Sequence, residues 1–200
     1  MHPDQLTVSP LTVGTLIAEQ FPQWTDLPIQ SVSGAGTVNA IFRVGEHVVA
    51  RFPLEPSDDI AAVRQELELE AAAAEELHGR TPVATPTPLG IGEPGAGYPL
   101  PWSVFTWLPG HPATADSCSQ SDSFAMDLGA FILAVRAIDT RGRTYDGNGR
   151  GGDLESYDEW IELCLANSEG LLDVPSLRTI WDQIRALPRG NTPDVMNHGD

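Results

Sequence analysis

Two hundred residues, 41% hydrophobic and 20% charged, suffice for a buried core and exclude a disordered chain. Twenty-eight acidic residues against eleven basic ones give a net charge of −17, and all eleven of those basic residues are arginine. Such a chain repels nucleic acid and anionic lipid surfaces at long range, and it attracts cationic small molecules. No run of 18 apolar residues exists, so no membrane span is expected. The start, Met1-His2-Pro3-Asp4, lacks a basic region followed by an apolar core, so no signal peptide is expected. Cys118 and Cys164 have no metal-ligand spacing and read as reduced thiols of a cytoplasmic protein.

Ser9-Pro10 ahead of Leu11, Leu16, Ile17 and Phe21 predicts a capped helix with proline just inside its start. Pro22 to Pro28 reads as a connector. Short β-type runs follow at Ile29–Val32, Val38–Val44 and Val48–Phe52, divided by the turns Ser33-Gly34-Ala35-Gly36 and Gly45-Glu46. They predict a three-stranded antiparallel meander. Asp58-Asp59 caps a helix over 60–77, whose apolar positions Ile60, Val63, Leu67, Ala71, Ala74 and Leu77 step by three or four. Thr81 to Pro101 is rich in proline and glycine and holds two short β-like pieces. Trp102 to Leu108 reads as a buried strand stopped by Pro109-Gly110, which sets a lobe boundary at 108/109. Three helical stripes follow: Phe124 to Ile138, Tyr157 to Leu165 and Leu177 to Leu187, with a glycine-rich loop, Gly142 to Gly152, after the first. The five tryptophans are expected in core and lobe packing.

A β-rich first half and an α-rich second half make an α+β chain without internal repeats. Glycines in Ser33-Gly34-Ala35-Gly36-Thr37-Val38-Asn39 let backbone N–H groups approach an anion without a Cβ in the way, although tight hairpins also require glycine. No Gly-Lys-Ser/Thr occurs, and a strand rather than a helix follows the glycines, so neither a P-loop nor a dinucleotide-binding turn is supported. Arg51, in Val48-Val49-Ala50-Arg51-Phe52, points to the face opposite Ala50 and Phe52 and can fork onto phosphate or carboxylate. A carboxylate on the apolar side of the 60–77 helix needs a cation; Glu70 meets that description, with Glu66 one turn earlier as its rival, and either fits equally a solvated edge residue. His198-Gly199-Asp200 follows the apolar pair Val195-Met196.

With these motifs in this order, the chain resembles the aminoglycoside phosphotransferase family, whose fold is protein-kinase-like and two-lobed. The segment from Thr85 to Val104 and Arg150-Gly151-Gly152-Asp153-Leu154 add to the resemblance. It implies an N-lobe over 1–108, an antiparallel sheet plus one helix that binds ATP (or GTP). Over 109–200 it implies a partial helical C-lobe ending at the catalytic loop. The nucleotide site implied comprises Ser33, Gly34, Ala35, Gly36, Thr37, Asn39, Arg51 where most relatives carry lysine, Glu70, Phe105 as gatekeeper, and the backbones of Thr106 and Leu108. Asp200 would take the proton of the acceptor hydroxyl, and His198 would hold the loop. The Mg²⁺ ligands, a later Asn and Asp, are expected past Asp200, so the chain by itself is expected to be inactive.

The function implied is ATP-dependent transfer of a γ-phosphoryl group to a hydroxyl of a small molecule. Aminoglycosides, other sugars and alcohols all qualify as acceptors, and antibiotic resistance is one option. The alternative is a kinase-like fragment that binds nucleotide or a partner without catalysis. An acidic interaction domain would need the motif order to be coincidence. Neither nucleic acid nor a membrane is an expected partner, and oligomeric state is not legible.

Overall fold

The first helix begins where its capping chemistry says it should. In the computed structural model, which describes residues 5–32, 38–114, 118–145, 151–188 and 193–197, α1 spans Pro10–Gln20. The Ser9 hydroxyl accepts from the Thr12 N–H at 3.1 Å, and Pro10 sets the first helical φ. Val13, Leu16 and Ile17 recur at helical spacing and are fully buried. The expected connector contains a 3₁₀ turn, Pro22–Trp24.

Three strands, β1 (Ile29–Ser31), β2 (Asn39–Val44) and β3 (Val48–Pro53), pair antiparallel as a meander. Gly45 turns β2 into β3 at φ +61°, and a side chain there would press on Leu27. Two further strands, β4 (Pro88–Gly92) and β5 (Trp102–Thr106), extend the sheet to the order β1-β2-β3-β5-β4, antiparallel throughout. Two expectations need correction. Only one of the two β-like pieces in 81–101 becomes a strand; the other is a tight turn closed by the Gly95–Tyr98 bridge. The last strand ends at Thr106, not Leu108: Trp107 N–H still reaches the His47 carbonyl at 2.8 Å, but the approach to Pro109 ends the ladder.

Alternation along the strands gives the sheet two unlike faces. Phe42, Val44, Val48, Ala50, Phe52, Trp102 and Val104 join α1, Tyr98 and Leu100 in one core. Phe52 stacks on Trp102 with ring centres 4.8 Å apart, and Phe21 meets Trp102 edge-on at 5.3 Å. Gly92 is cross-strand from Trp102, where any Cβ would overlap the indole. The Tyr98 hydroxyl donates to the Pro53 carbonyl at 2.6 Å, and burial pushes its pKa up. The odd-numbered residues of β2, β3 and β5 form the opposite face.

Helix α2 spans Ile60–Leu77. Asp59 is its cap, with its carboxylate on the Ala62 N–H at 2.9 Å. Both helices predicted ahead of the 108/109 boundary, α1 and α2, are thus present beside the sheet.

The chain divides into two compact units, residues 1–131 and 132–200. That division falls inside α3 (Asp122–Arg136), whereas the change from strands to helices follows β5, near the expected 108/109 boundary. The second unit contains the end of α3, a 3₁₀ turn over Leu154–Tyr157, α4 (Asp158–Asn167) and α5 (Val174–Arg185). Arg178 grips Glu162 with two hydrogen bonds, 2.6 and 3.2 Å; Asp158 accepts from Arg185 at 2.8 Å and from the Trp181 indole at 3.0 Å. These contacts join α4 to α5. The predicted apolar stripes are correct in period but not in burial. Leu177, Ile180 and Ile184 of α5 are at least 38% exposed; of the tryptophans, expected in packing, Trp102 is fully buried and Trp24 packs on the core, whereas Trp160 is 62% exposed. No described helix is long and apolar enough to cross a membrane.

Candidate functional site

The odd face of the sheet gathers the polar chemistry of the first unit. Cross-strand pairing puts Ile41, Arg51 and Ser103 in one row and Arg43, Val49 and Phe105 in the next. Ala50 and Phe52, the neighbours of Arg51, are fully buried in the core, so Arg51 points the other way, as the alternation predicted. Its guanidinium lies 3.2 Å from the Glu70 carboxylate. The partner is therefore Glu70, which settles the choice against Glu66. Of the two environments open to it, Glu70 takes the solvated edge: its side chain is 50% exposed, and Leu67 is the one buried residue of α2. The inward stripe of that helix is narrow, and Glu70 is at its edge.

An ion pair this exposed is worth about 0–1 kcal/mol, too little to be explained by fold stability. What it does is fix where a cation points. The Phe105 ring supports the same guanidinium from a second side, with its centre 5.6 Å from Arg51 Cζ. Arg43 stacks likewise over Trp107, at 5.3 Å. Ser103, opposite Arg51 on β5, is buried, and its hydroxyl has no partner among the described residues. Arg43, Val49, Ser103 and Trp107 were not read from the sequence as members of this face. The signal was present: Arg43, Val49 and Ser103 share the odd parity of Arg51 within the paired strands, and Trp107 continues it one residue past β5.

Helix α2 is tethered at a second point, where Arg64 forms an ion pair with Glu93 in the turn after β4. The main chain of Glu93 is held in turn by Gln20, whose amide donates to its carbonyl at 3.0 Å and accepts from its N–H at 2.7 Å. The position of Glu70 is thereby tied to the sheet.

Asn39 opens β2 opposite Pro53, half-buried and on the Arg51 side by alternation. Phe105 is 4% exposed. The Thr106 N–H is committed to the Thr87 carbonyl at 2.9 Å, and its hydroxyl accepts from the Thr87 N–H. Only the Thr106 carbonyl is then available to a ligand. The Leu108 N–H has no partner among the described residues. Ser33, Gly34, Ala35, Gly36 and Thr37 of the glycine turn lie outside the described residues, as do His198 and Asp200.

The second unit holds a cavity of about 890 Å³ lined by residues from 140–145 and 151–156 and by Pro193 to Asn197. Asp153 and Asp194 contribute carboxylates to its lining. Its wall is a close-packed turn. The Tyr145 ring lies against Gly151 and Gly152, where side chains would overlap it. The Tyr157 hydroxyl accepts from the Gly151 N–H and donates to its carbonyl, both at 2.9 Å.

Residues 31–200 match the phosphotransferase enzyme family. Among solved structures, a GDP complex of an aminoglycoside 2'-phosphotransferase-IIIa variant is similar at a TM-score of 0.64 and 20% identity, over 90% of this chain and 60% of that one. A complex of a related APH(2") enzyme with GDP and kanamycin gives 0.60 and 22%, over 89% and 60%. A ternary complex of streptomycin, ATP and APH(2")-IIa gives 0.52 and 12%, over 90% and 60%. At these identities the likeness shows the fold alone: α+β, of the kinase-like type those enzymes share. The chain spans about 60% of the length of these structures. No protein with a curated description matches the sequence.

Proposed function

The chain belongs to the phosphotransferase enzyme family, and from that premise we propose that it is an ATP- or GTP-dependent small-molecule kinase. In this reading it moves the γ-phosphoryl group to a hydroxyl of a cationic sugar or alcohol. The observation that carries the proposal is the Arg51–Glu70 pair on the open face of the sheet. Phosphoryl transfer asks a protein mainly to position phosphates and neutralise their charge. An arginine aimed by a carboxylate and not buried in the core supplies such a cation.

The remaining roles belong to the same proposal. Phe105 borders the base, the Thr106 carbonyl and Leu108 N–H offer it hydrogen bonds, and residues 33–37 with Asn39 cover the phosphates. Asp200 accepts the acceptor's proton, and His198 orients its loop. The excess of negative charge, together with the kanamycin and streptomycin complexes of the similar structures, supports a cationic acceptor. Among the described residues no three His, Cys, Asp or Glu side chains could hold a metal. The described residues do not by themselves make a Mg²⁺ site. Nucleotide dependence and a reduced-thiol composition support a cytoplasmic location. A nucleotide- or partner-binding chain without transferase activity is the second reading; the exposed apolar faces of α4 and α5 favour it.

The test is transfer of labelled γ-phosphate from ATP or GTP to a panel of aminoglycosides, sugars and amino alcohols. It is run with this chain and with any longer product of the same gene. Transfer that drops by orders of magnitude in Asp200→Ala, with nucleotide still bound, supports the proposal. Unchanged transfer removes Asp200 from the mechanism, and nucleotide binding without transfer by any product favours the second reading.

A further inference from the structure

We infer that Phe105, beyond bordering the nucleotide base, is a positioning residue for the phosphate-directed cation: its ring and the Glu70 carboxylate together aim Arg51. The inference rests on the nucleotide reading above. Antiparallel pairing sets Arg51 opposite Ser103 and Val49 opposite Phe105, which makes Arg51 and Phe105 diagonal neighbours on one face. At that spacing a long side chain reaches an aromatic ring, and the 5.6 Å separation shows that it does. The ring is 4% exposed and cannot swing away, whereas Arg51 is 31% exposed at its side chain and has four rotatable bonds to restrain. A single oxygen contact at 3.2 Å leaves the guanidinium plane free to rotate about that contact. A ring as second support removes that freedom.

The chemistry suits arginine and not lysine. A guanidinium is planar and weakly hydrated, so it can lie against a ring while its remaining N–H groups stay available to phosphate oxygens. The same face repeats the device in Arg43 over Trp107. The chain contains no lysine at all. A lysine at 51 would keep the Glu70 pair and lose the planar contact.

Matched titrations of nucleotide and nucleoside, ATP with adenosine and GTP with guanosine, separate aiming from base packing. A residue that only packs the base changes both affinities alike. Loss of a partly exposed cation–π contact lowers the nucleotide-to-nucleoside affinity ratio by about two- to fivefold. The inference expects that drop in Phe105→Leu and in the volume-conserving Phe105→Met, with the ratio retained in Phe105→Tyr. It also expects Phe105→Leu to leave the ratio unmoved once Arg51→Met is in place. An unchanged ratio in folded Phe105→Leu and Phe105→Met overturns the inference alone. Absence of binding by the unsubstituted chain overturns the nucleotide reading and the inference with it.

Discussion

At the scale of single residues, the Arg51–Glu70 pair is an aiming device whose value lies in direction. Glu70→Gln therefore costs less than about 1 kcal/mol of stability, the range of half-exposed ion pairs. It is expected to weaken ATP or GTP binding several-fold while leaving nucleoside binding alone. Paired melting and titration curves check this, and a large loss of melting temperature with unchanged nucleotide affinity would contradict it. Tyr98 is the opposite kind of residue, buried and bonded to the Pro53 carbonyl. Tyr98→Phe orphans that carbonyl and should cost about 1–3 kcal/mol. Because burial raises the Tyr98 pKa above its unfolded value, its contribution is full below pH about 10 and falls as pH rises beyond it. Alkaline unfolding measured for the native chain and Tyr98→Phe should show a smaller pH dependence in the variant.

At the scale of elements, the helices obey local chemistry and differ in what holds them down. Asp59→Ala removes the α2 cap and should cost about 1 kcal/mol, with faster amide exchange in the first turn of α2. In the second unit, α4 and α5 depend on ion pairs. The hydrogen bond from Arg178 holds the Glu162 carboxyl below its ordinary pKa. A lowered carboxyl pKa stabilises the fold above the ordinary glutamate value, and that contribution disappears as pH falls through the lowered one. Helical signal from this unit should therefore decline on acidification, and Glu162→Gln should flatten that part of the profile. Local pattern made these elements legible. Ser9-Pro10, Asp59 and the period-two run Val48 to Phe52 each state their structure within a few residues. Partners distant in the chain were not legible: Arg64 with Glu93, Arg43 with Trp107, and the joining of β4 and β5 to the meander. Those contacts depend on which strands become neighbours, which no local window contains. The choice between Glu66 and Glu70 is of this kind, since both share a helix face and only the placement of α2 on the sheet separates them.

At the scale of the whole molecule, two features dominate: the net charge of −17 and the apolar surface of the second unit. Long-range attraction to a cationic acceptor is screened within about 8–10 Å at physiological salt. Acceptor affinity should therefore fall as ionic strength rises, while a neutral sugar acceptor would show little change. Leu133, Trp160, Leu163, Ile180 and Leu187 are each at least 50% exposed. Binding of an apolar dye by the native chain, read as enhancement and blue shift of its emission, checks that surface. The proposed nucleotide site is the open face of the sheet. Calorimetric titration of the chain with Mg-ATP and Mg-GTP, repeated with Arg51→Met, tests it directly. A nucleotide site there should give saturable one-site binding that weakens about tenfold or more in a folded Arg51→Met, the loss of a charge-assisted phosphate contact. Binding that ignores Arg51→Met, or no binding of either nucleotide, would contradict it.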